Sequence, residues 1–89
     1  MVEKHIEIIN RLGLHARAAA KLVHTASSFG CDVVLTRDGE EVDAKSILGI
    51  LQLGAAQGTE LDVACDGDDE QEALAAVTDL FASRFGEES

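Results

Sequence analysis

Several residue types are scarce or missing in this sequence, and each absence narrows what the chain can be. Proline, tryptophan and tyrosine are absent, and there are only three phenylalanines and two cysteines. No apolar stretch exceeds five residues, and that at 47–51 contains a glycine, so no segment is long enough to span a membrane. Basic side chains number seven against seventeen acidic ones, for a formal charge of -10 with histidine neutral. This excess argues against binding to nucleic acid or to an anionic membrane.

The size and composition predict a single folded domain. Its 89 residues, 46% of them apolar, can bury roughly 60–70% of the surface of the unfolded chain, which suffices for one core and two layers. The first residues lack the basic region and apolar core of a signal peptide, so we expect a cytoplasmic protein. Cys31 and Cys65 have no C-x-x-C spacing, and the three histidines lack metal-ligand spacing. We therefore expect no metal or cofactor, and two buried, reduced thiols.

Hydrophobic periodicity predicts seven secondary-structure elements in the order βαββαβα, a two-layer α+β sandwich. Alternating apolar and polar side chains favour four strands, at 2–8, 31–36, 41–44 and 59–66. Apolar residues three or four positions apart favour a helix from 16 to about 27, with a stripe formed by Ala16, Ala19, Ala20, Val23 and Ala26. A short helix at 47–53 lies between Ser46 as N-cap and Gly54 as stop.

The last helix and the residues after it carry two local signals. Asp69 and Glu72 have the spacing of a capping box at the start of a helix whose apolar stripe reaches Phe85. The residues after Phe85 are polar or glycine, and we expect them to fray.

The stretch 10–21 holds the side chains best suited to chemistry. His15 stands where the first helix begins, and the amides of a helix's first turn have no partners within the helix. They form an anion site backed by the partial positive charge of the helix end, and Arg17 adds a full positive charge. An imidazole beside free amides and a guanidinium could act as a nucleophile that accepts a phosphoryl group. The alternative is that His15 only caps the helix or is a solvated side chain.

The short helix at 47–53 is the second informative stretch. Its five large apolar side chains cannot all face inward from one helix. Some of them are therefore expected to be exposed, as on a surface that docks a partner, and the alternative is a helix pressed into the core from several sides. Ser46 is most simply an N-cap, although the helix end would favour a phosphate there, by about 0.3–1 kcal/mol when exposed.

Two motifs give the chain a family resemblance that covers nearly its whole length. Residues 13–17 (Gly-Leu-His-Ala-Arg) and 45–54 (Lys-Ser-Ile-Leu-Gly-Ile-Leu-Gln-Leu-Gly) resemble the active-site motif and the regulatory serine region of the HPr family. These proteins are the histidine-containing phosphocarriers of the bacterial phosphoenolpyruvate-dependent sugar phosphotransferase system. The resemblance implies a single HPr-like domain over 1–89, with an antiparallel sheet of order 1-4-2-3 covered on one face by three helices. Such a protein is a stoichiometric carrier and not a turnover enzyme.

The resemblance also implies roles for individual residues. His15 would take a phosphoryl group on Nδ1 from phosphorylated enzyme I and pass it to a IIA-type domain, while Arg17 stabilises the phosphoryl oxygens. Ser46 matches the serine that a bifunctional HPr kinase/phosphorylase modifies in many members, and a phosphoserine there would weaken docking by charge repulsion. We expect a monomer whose partner-binding surface consists of Ala16, Ala20, Lys21, Ile47, Leu48 and Leu51.

One departure from the family pattern leaves the exact role open. The family usually has proline directly after the motif's arginine, where this chain has Ala18. Alanine is an excellent helix former and keeps its amide, so we expect the helix to form, but the subfamily and the rate of transfer stay open. The alternatives are a nitrogen-branch paralogue and a regulatory interaction module, controlled through Ser46, in a system without sugar transport. A small-molecule-binding domain of ferredoxin-like shape is a third, for which the sequence has no pocket signature.

The acidic residues are unevenly distributed along the chain. Residues 1–36 carry four basic and three acidic side chains, whereas residues 50–89 carry one basic and ten acidic. We therefore expect the negative charge to lie away from His15, Arg17 and Lys21. This leaves a neutral-to-basic face that could receive a phosphoryl group and an acidic partner.

Overall fold

The computed structural model describes residues 1–88 and contains the seven elements predicted from the sequence. The four strands are β1 (Val2–Glu7), β2 (Asp32–Arg37), β3 (Glu40–Asp43) and β4 (Glu60–Asp66). The three helices are α1 (Ala16–Ser27), α2 (Ile47–Leu53) and α3 (Glu70–Ala82), and a 3₁₀ segment follows at Arg84–Gly86. No helix within residues 1–88 is long and apolar enough to cross a membrane.

The strands form one antiparallel sheet in the order β1-β4-β2-β3, which confirms the predicted fold. On one face, the strand side chains buried beneath the helices are Ile6, Val33, Leu35, Leu61, Val63 and Cys65. The buried side chains of α3 are Ala73, Val77 and Phe81. Burying a side chain of the size of valine, leucine or phenylalanine contributes about 1.5–3 kcal/mol, so this layer of contacts holds the helices on the sheet.

Helix α1 buries a stripe that matches the predicted one only in part, because Ala19 and Ala26 are buried and Val23 is partly buried as predicted. Its buried side chains are Ala18, Ala19, Leu22 and Ala26. Ala16 and Ala20, which the spacing places inward, are exposed. Alanines occupy several sides of the first turns, so the apolar pattern alone does not distinguish the faces. The larger Leu22 gains more from burial than an alanine does, and it determines which face enters the core.

The other face of the sheet is open and carries a dense set of carboxylates. The exposed acidic side chains on this side are Glu3, Glu7, Asp32, Glu41, Asp43, Glu60, Asp62 and Asp66. Among the strand residues within 1–88, none on this face is lysine or arginine, and His5 is the one histidine there. Its Nδ1 and Nε2 each lie 2.8 Å from a carboxylate oxygen, of Asp62 and Glu60 respectively. Much of the negative charge therefore lies opposite the helices.

Helix α2 begins and ends at the residues expected from the sequence. The Ser46 Oγ accepts a hydrogen bond from the Gly49 N–H at 3.2 Å, as an N-cap does. Gly54 ends the helix with a left-handed φ of 64°. The Arg37 guanidinium donates to the carbonyl oxygens of Leu53 and Gly54, so a positive charge satisfies the negative end of the helix.

The predicted capping box at the start of α3 is wrong. Asp69 is the N-cap residue, but its side chain makes no capping bond. Its two carboxylate oxygens accept from the backbone N–H groups of Gly30 and Cys31, at 2.9 and 3.0 Å. These bonds tie α3 to the chain entering β2, and the bond from Gly30 above all holds the pKa of Asp69 below its usual value. In the loop before the helix, the Gly67 N–H donates a hydrogen bond to the side chain of Glu70, and not to that of Glu72.

The chain after α3 turns back into the fold instead of fraying. Residues 84–86 have left-handed φ angles of 57°, 55° and 77°, and the turn brings Phe85 into the core, edge-on to Phe81 with 4.9 Å between ring centroids. A left-handed conformation costs a residue with a side chain about 1–2 kcal/mol, and burial of the Phe85 ring offsets this cost. The predicted fraying is wrong for Glu87, whose side chain is only 15% exposed, and Ser89 lies outside the described residues.

Both cysteines are buried and free, as expected. Cys65 lies on the helix-facing side of β4, and Cys31 lies directly before β2. Cys65 pairs in register with Val33, two residues after Cys31. Burial raises the pKa of the Cys31 thiol to about 11. Because the thiolate is the reactive form, these side chains act as small apolar residues of the core.

The contacts of His5 make stability depend on pH. Glu60 first, and then Asp62, raise the pKa of His5 above its ordinary value. Their stabilising effect is fully present below the pKa of the unfolded chain, about 6.5, and is lost as the pH rises through the higher pKa of the folded state. We expect His5→Gln to lower the melting temperature more at about pH 5.5 than at about pH 8.5, as followed by circular dichroism. An equal loss at both pH values would contradict this prediction, and His24→Gln, an exposed histidine of α1, serves as the control.

Candidate functional site

The loop between β1 and α1 packs closely against the loop before β4. Gly13 has a φ of 66°, and a Cβ on it would lie 2.6 Å from the Ala55 carbonyl oxygen, so only glycine fits this close approach. The N–H of Leu14 donates to the same oxygen at 2.9 Å. The buried side chain of Asn10 donates to the Gly13 carbonyl at 2.8 Å. These contacts determine where α1 begins, and they place His15 directly before it.

His15 is the N-cap residue of α1. Its backbone is extended and its carbonyl accepts from the N–H of Ala19 at 2.8 Å, yet its imidazole makes no capping bond. The side chain is therefore free for other contacts. The helix forms with alanine at position 18, as expected. The N–H groups of its first turn have no acceptor within the helix, and they belong to Ala16, Arg17 and Ala18.

The imidazole of His15 contacts a carboxylate from the far end of the sequence. The distance from His15 Nε2 to Glu87 Oε2 is 2.5 Å, and the side-chain nitrogen of Asn10 donates to the other carboxylate oxygen at 3.1 Å. The hydrogen bond from His15, and then that from Asn10, lower the pKa of Glu87, so this carboxylate is ionised at neutral pH. Glu87 is the exception to the expected separation of acidic residues from His15. It is absent from the predicted site because it lies 72 residues away, in a segment without periodicity.

His15 and Arg17 line one open depression of about 310 Å³, together with Arg11, Leu12 and Glu87. The structure thus brings together the two residues that the sequence predicts to handle a phosphoryl group. Within residues 1–88, the Arg17 guanidinium forms no hydrogen bond or ion pair, which leaves its donors available to a ligand. Arg11 supplies a second guanidinium, although no sequence pattern singles it out. Two guanidinium groups and the free amides of α1 make the depression attractive to an anion.

Lys21 has a structural contact beyond its predicted place on the partner surface. Its Nζ donates to the carbonyl of Phe85 at 2.6 Å, across the left-handed turn after α3. Lys21 thereby ties α1 to the segment that carries Glu87. Its charge also contributes to the lowered pKa of that carboxylate.

The exposed sides of α1 and α2, which pack against each other, form a largely apolar surface. On α2, Ile50 and Leu53 are buried, whereas Leu48 is 72% exposed and Ile47 and Leu51 are exposed beside it. The alternative of a helix enclosed by the core is therefore wrong. We name this surface the docking patch; its exposed residues are Ala16, Ala20, Lys21, Ile47, Leu48 and Leu51.

Comparison with known proteins agrees with this fold. The family model described as PTS HPr component phosphorylation site matches residues 2–83. Phosphocarrier protein HPr of Xylella fastidiosa (strain Temecula1) is 48% identical over 89 residues, the whole of both chains. Phosphocarrier protein NPr of Escherichia coli (strain K12) is 43% identical over 88 residues, 98% of each chain.

Solved structures lead to the same family. The crystal structure of HPr-C-His from Thermoanaerobacter tengcongensis has a TM-score of 0.97 and 49% identity over the whole of both chains. That of an HPr dimer from the same organism has a TM-score of 0.79 and 49% identity over 98% of this chain and 100% of that chain. Fold and matches together define a phosphocarrier, a protein that receives a phosphoryl group and passes it on without being an enzyme. The chain belongs to the HPr family of the phosphotransferase system.

The close approach of Gly13 to the Ala55 carbonyl can be tested by adding a single methyl group. Gly13→Ala puts a Cβ against the Ala55 carbonyl at a left-handed φ, and we expect it to lower the free energy of unfolding by about 2–3 kcal/mol. The matched control is Gly30→Ala, where a Cβ would meet nothing within 4 Å and which we expect to be nearly neutral. Urea denaturation measures both. Similar stabilities for the two variants would show that the close approach does not constrain the loop.

Proposed function

We propose that His15 is the residue that carries the phosphoryl group, taking it from phosphorylated enzyme I and delivering it to a IIA-type domain. The main support is that His15 and Arg17 line one open depression at the start of α1. The imidazole is 26% exposed, so it is held on one side and accessible on the other. We place this carrier in the cytoplasm, with enzyme I.

The transfer requires a nucleophile and a positive environment for the phosphoryl oxygens. The lone pair of His15 Nδ1 attacks phosphorus while the nitrogen–phosphorus bond of the donor breaks and its electron pair returns to the donor's ring. Phosphoryl transfer spreads charge over three oxygens, which the Arg17 guanidinium and the free amides of α1 stabilise. Because the depression is open, the phosphoryl group is not enclosed, which suits a carrier that has to release it.

The docking patch is the proposed contact surface for enzyme I and for IIA-type domains in turn. Its apolar side chains adjoin the positive charges of Arg17 and Lys21, a combination that favours an acidic partner surface with an apolar centre. Successive partners can use one patch only when it is free, so the carrier acts as a monomer in this proposal.

Ser46 is the proposed regulatory position. Its Oγ caps α2, so it lies at the end of the helix that carries the largest exposed side chains of the docking patch. A phosphate on this oxygen would add a charge of about -1.5 to -2 beside the patch and would repel an acidic partner. A bifunctional HPr kinase/phosphorylase is the proposed source of the modification. The same site would serve the alternative function, a regulatory interaction module in a system without sugar transport.

Labelling with enzyme I and phosphoenolpyruvate tests the carrier function. We expect the wild-type chain to gain an acid-labile phosphoryl group and His15→Ala to gain none, because His15 is the imidazole in the depression. The matched control, His24→Ala, removes an exposed histidine from the same helix and should be labelled at the wild-type rate. A wild-type chain that takes no label would refute the carrier proposal, and kinase labelling at Ser46 alone would favour the regulatory alternative.

Two substitutions of Ser46 separate its charge effect from its capping effect. Aspartate keeps an oxygen that can cap α2 and adds a negative charge, whereas alanine removes the cap, at a cost of about 1 kcal/mol in the free energy of unfolding. We expect Ser46→Asp to slow transfer from phosphorylated enzyme I about fivefold, as about 1 kcal/mol of repulsion implies, and Ser46→Ala to transfer at the wild-type rate. The slowing should diminish at high salt. Equal transfer rates for the two variants would contradict the proposed regulation.

A further inference from the structure

The contact between Glu87 and His15 has a chemical use beyond holding the chain together. We propose that Glu87 is a positioning residue that keeps hydrogen on His15 Nε2 and so presents the lone pair of Nδ1 to the incoming phosphoryl group. This inference rests on the proposed role of His15 as acceptor. Glu87 itself lies beyond the residues, 2–83, that the family model matches.

The first argument is the direction of the hydrogen bond. Glu87 Oε2 lies 2.5 Å from His15 Nε2, so a hydrogen is shared between them. An ionised carboxylate can only accept, which leaves Nε2 as the donor. A neutral imidazole carries one ring hydrogen, and with that hydrogen on Nε2 the Nδ1 atom is unprotonated. Within residues 1–88, His15 Nδ1 has no hydrogen-bond partner, and the His15 side chain lines the depression.

The second argument is that the carboxylate is itself held in place from two sides. Asn10, which is fully buried, donates to Glu87 Oε1 at 3.1 Å and to the carbonyl of Gly13 at 2.8 Å. On the other side, the left-handed turn is fastened by the bond from Lys21 to the Phe85 carbonyl. A carboxylate that only neutralised charge would need none of this support, whereas one that orients a ring does.

The third argument is the charge balance of the transfer. When the Nδ1 lone pair forms the bond to phosphorus, the donor's nitrogen–phosphorus bond breaks and its electron pair stays on the donor's ring. No proton has to leave His15, because Nε2 keeps its hydrogen while the ring becomes positive. The Glu87 carboxylate, bonded to that same Nε2–H, stabilises the positive ring. Transfer to the next protein reverses each of these changes.

The ring nitrogen that Glu87 contacts distinguishes a positioning role from an inhibitory one. A carboxylate in the place of the phosphoryl group would bond Nδ1 and would have to leave before transfer. Glu87 bonds the other ring nitrogen, so its negative charge lies across the imidazole from the entering group. Removal of an inhibitory carboxylate would speed transfer, whereas removal of a positioning one slows it.

The experiment compares the full chain with Glu87→Ala, Glu87→Gln and Glu88→Gln. The last variant is the matched control, because it removes the same charge from the next residue, which is exposed. Nitrogen NMR of the His15 ring, without enzyme I, reports which nitrogen carries the hydrogen. The initial rate of labelling by phosphorylated enzyme I reports the transfer. Urea denaturation of each variant identifies any loss of folding, and Glu87→Gln, which retains an acceptor oxygen, covers the case in which Glu87→Ala is unstable.

We expect hydrogen on Nε2 in the wild type and in Glu88→Gln, and a mixture of both tautomers in Glu87→Ala. We expect transfer to Glu87→Ala to be about tenfold slower than to the wild type, with Glu87→Gln between them, because the bond to a charged acceptor is the stronger. An unchanged tautomer and rate in a folded Glu87→Ala, or a faster rate, would overturn the inference. A wild-type chain that shows the Nε2–H tautomer but takes no phosphoryl group would instead overturn the proposed function, and the kinetic role of Glu87 with it.

Discussion

The close approach of Gly13 to the Ala55 carbonyl is the constraint on which the rest of the site depends. Because Gly13 has no side chain, the loop after β1 can lie against the backbone before β4, and α1 can begin directly after His15. The same loop presents Asn10 to the carboxylate that holds the imidazole. The position of the His15 imidazole is thus determined by backbone packing as well as by side-chain contacts. Backbone packing of this kind favours a site of fixed geometry, which suits a phosphocarrier.

The parts of the fold that depend on neighbouring residues could be predicted from the sequence. Strand faces follow from two-residue alternation, and the cap at Ser46 and the stop at Gly54 follow from the chemistry of helix ends. His15 and Arg17 could be placed together because two residues at the start of one helix stay close whatever the rest of the chain does. The buried stripe of α1 could be predicted only in part, because alanine is too small for its spacing to indicate one face.

The contacts that could not be predicted join residues far apart in the chain. Asp69 has a good local alternative, a capping box, but it bonds the chain entering β2, 38 and 39 residues away. Glu87 reaches His15 only because the chain turns back through three left-handed residues, two of which are not glycine. Local propensity disfavours such a turn, so tertiary contacts select it, namely the burial of Phe85 in the core and the bond from Lys21 to the Phe85 carbonyl. In both cases a tertiary partner outweighs the local signal.

The open face of the sheet affects how the carrier meets other molecules. Carboxylates crowd that face, whereas Arg11, Arg17 and Lys21 lie on the helix side with the depression. The molecule is therefore an electric dipole as well as a polyanion, and the field of another acidic protein rotates it before the two surfaces touch. Encounters are then biased toward orientations in which the side of the molecule that carries His15 faces the other protein. The arrangement raises the rate of productive association more than the strength of the complex, and a short-lived complex is what a relay between proteins requires.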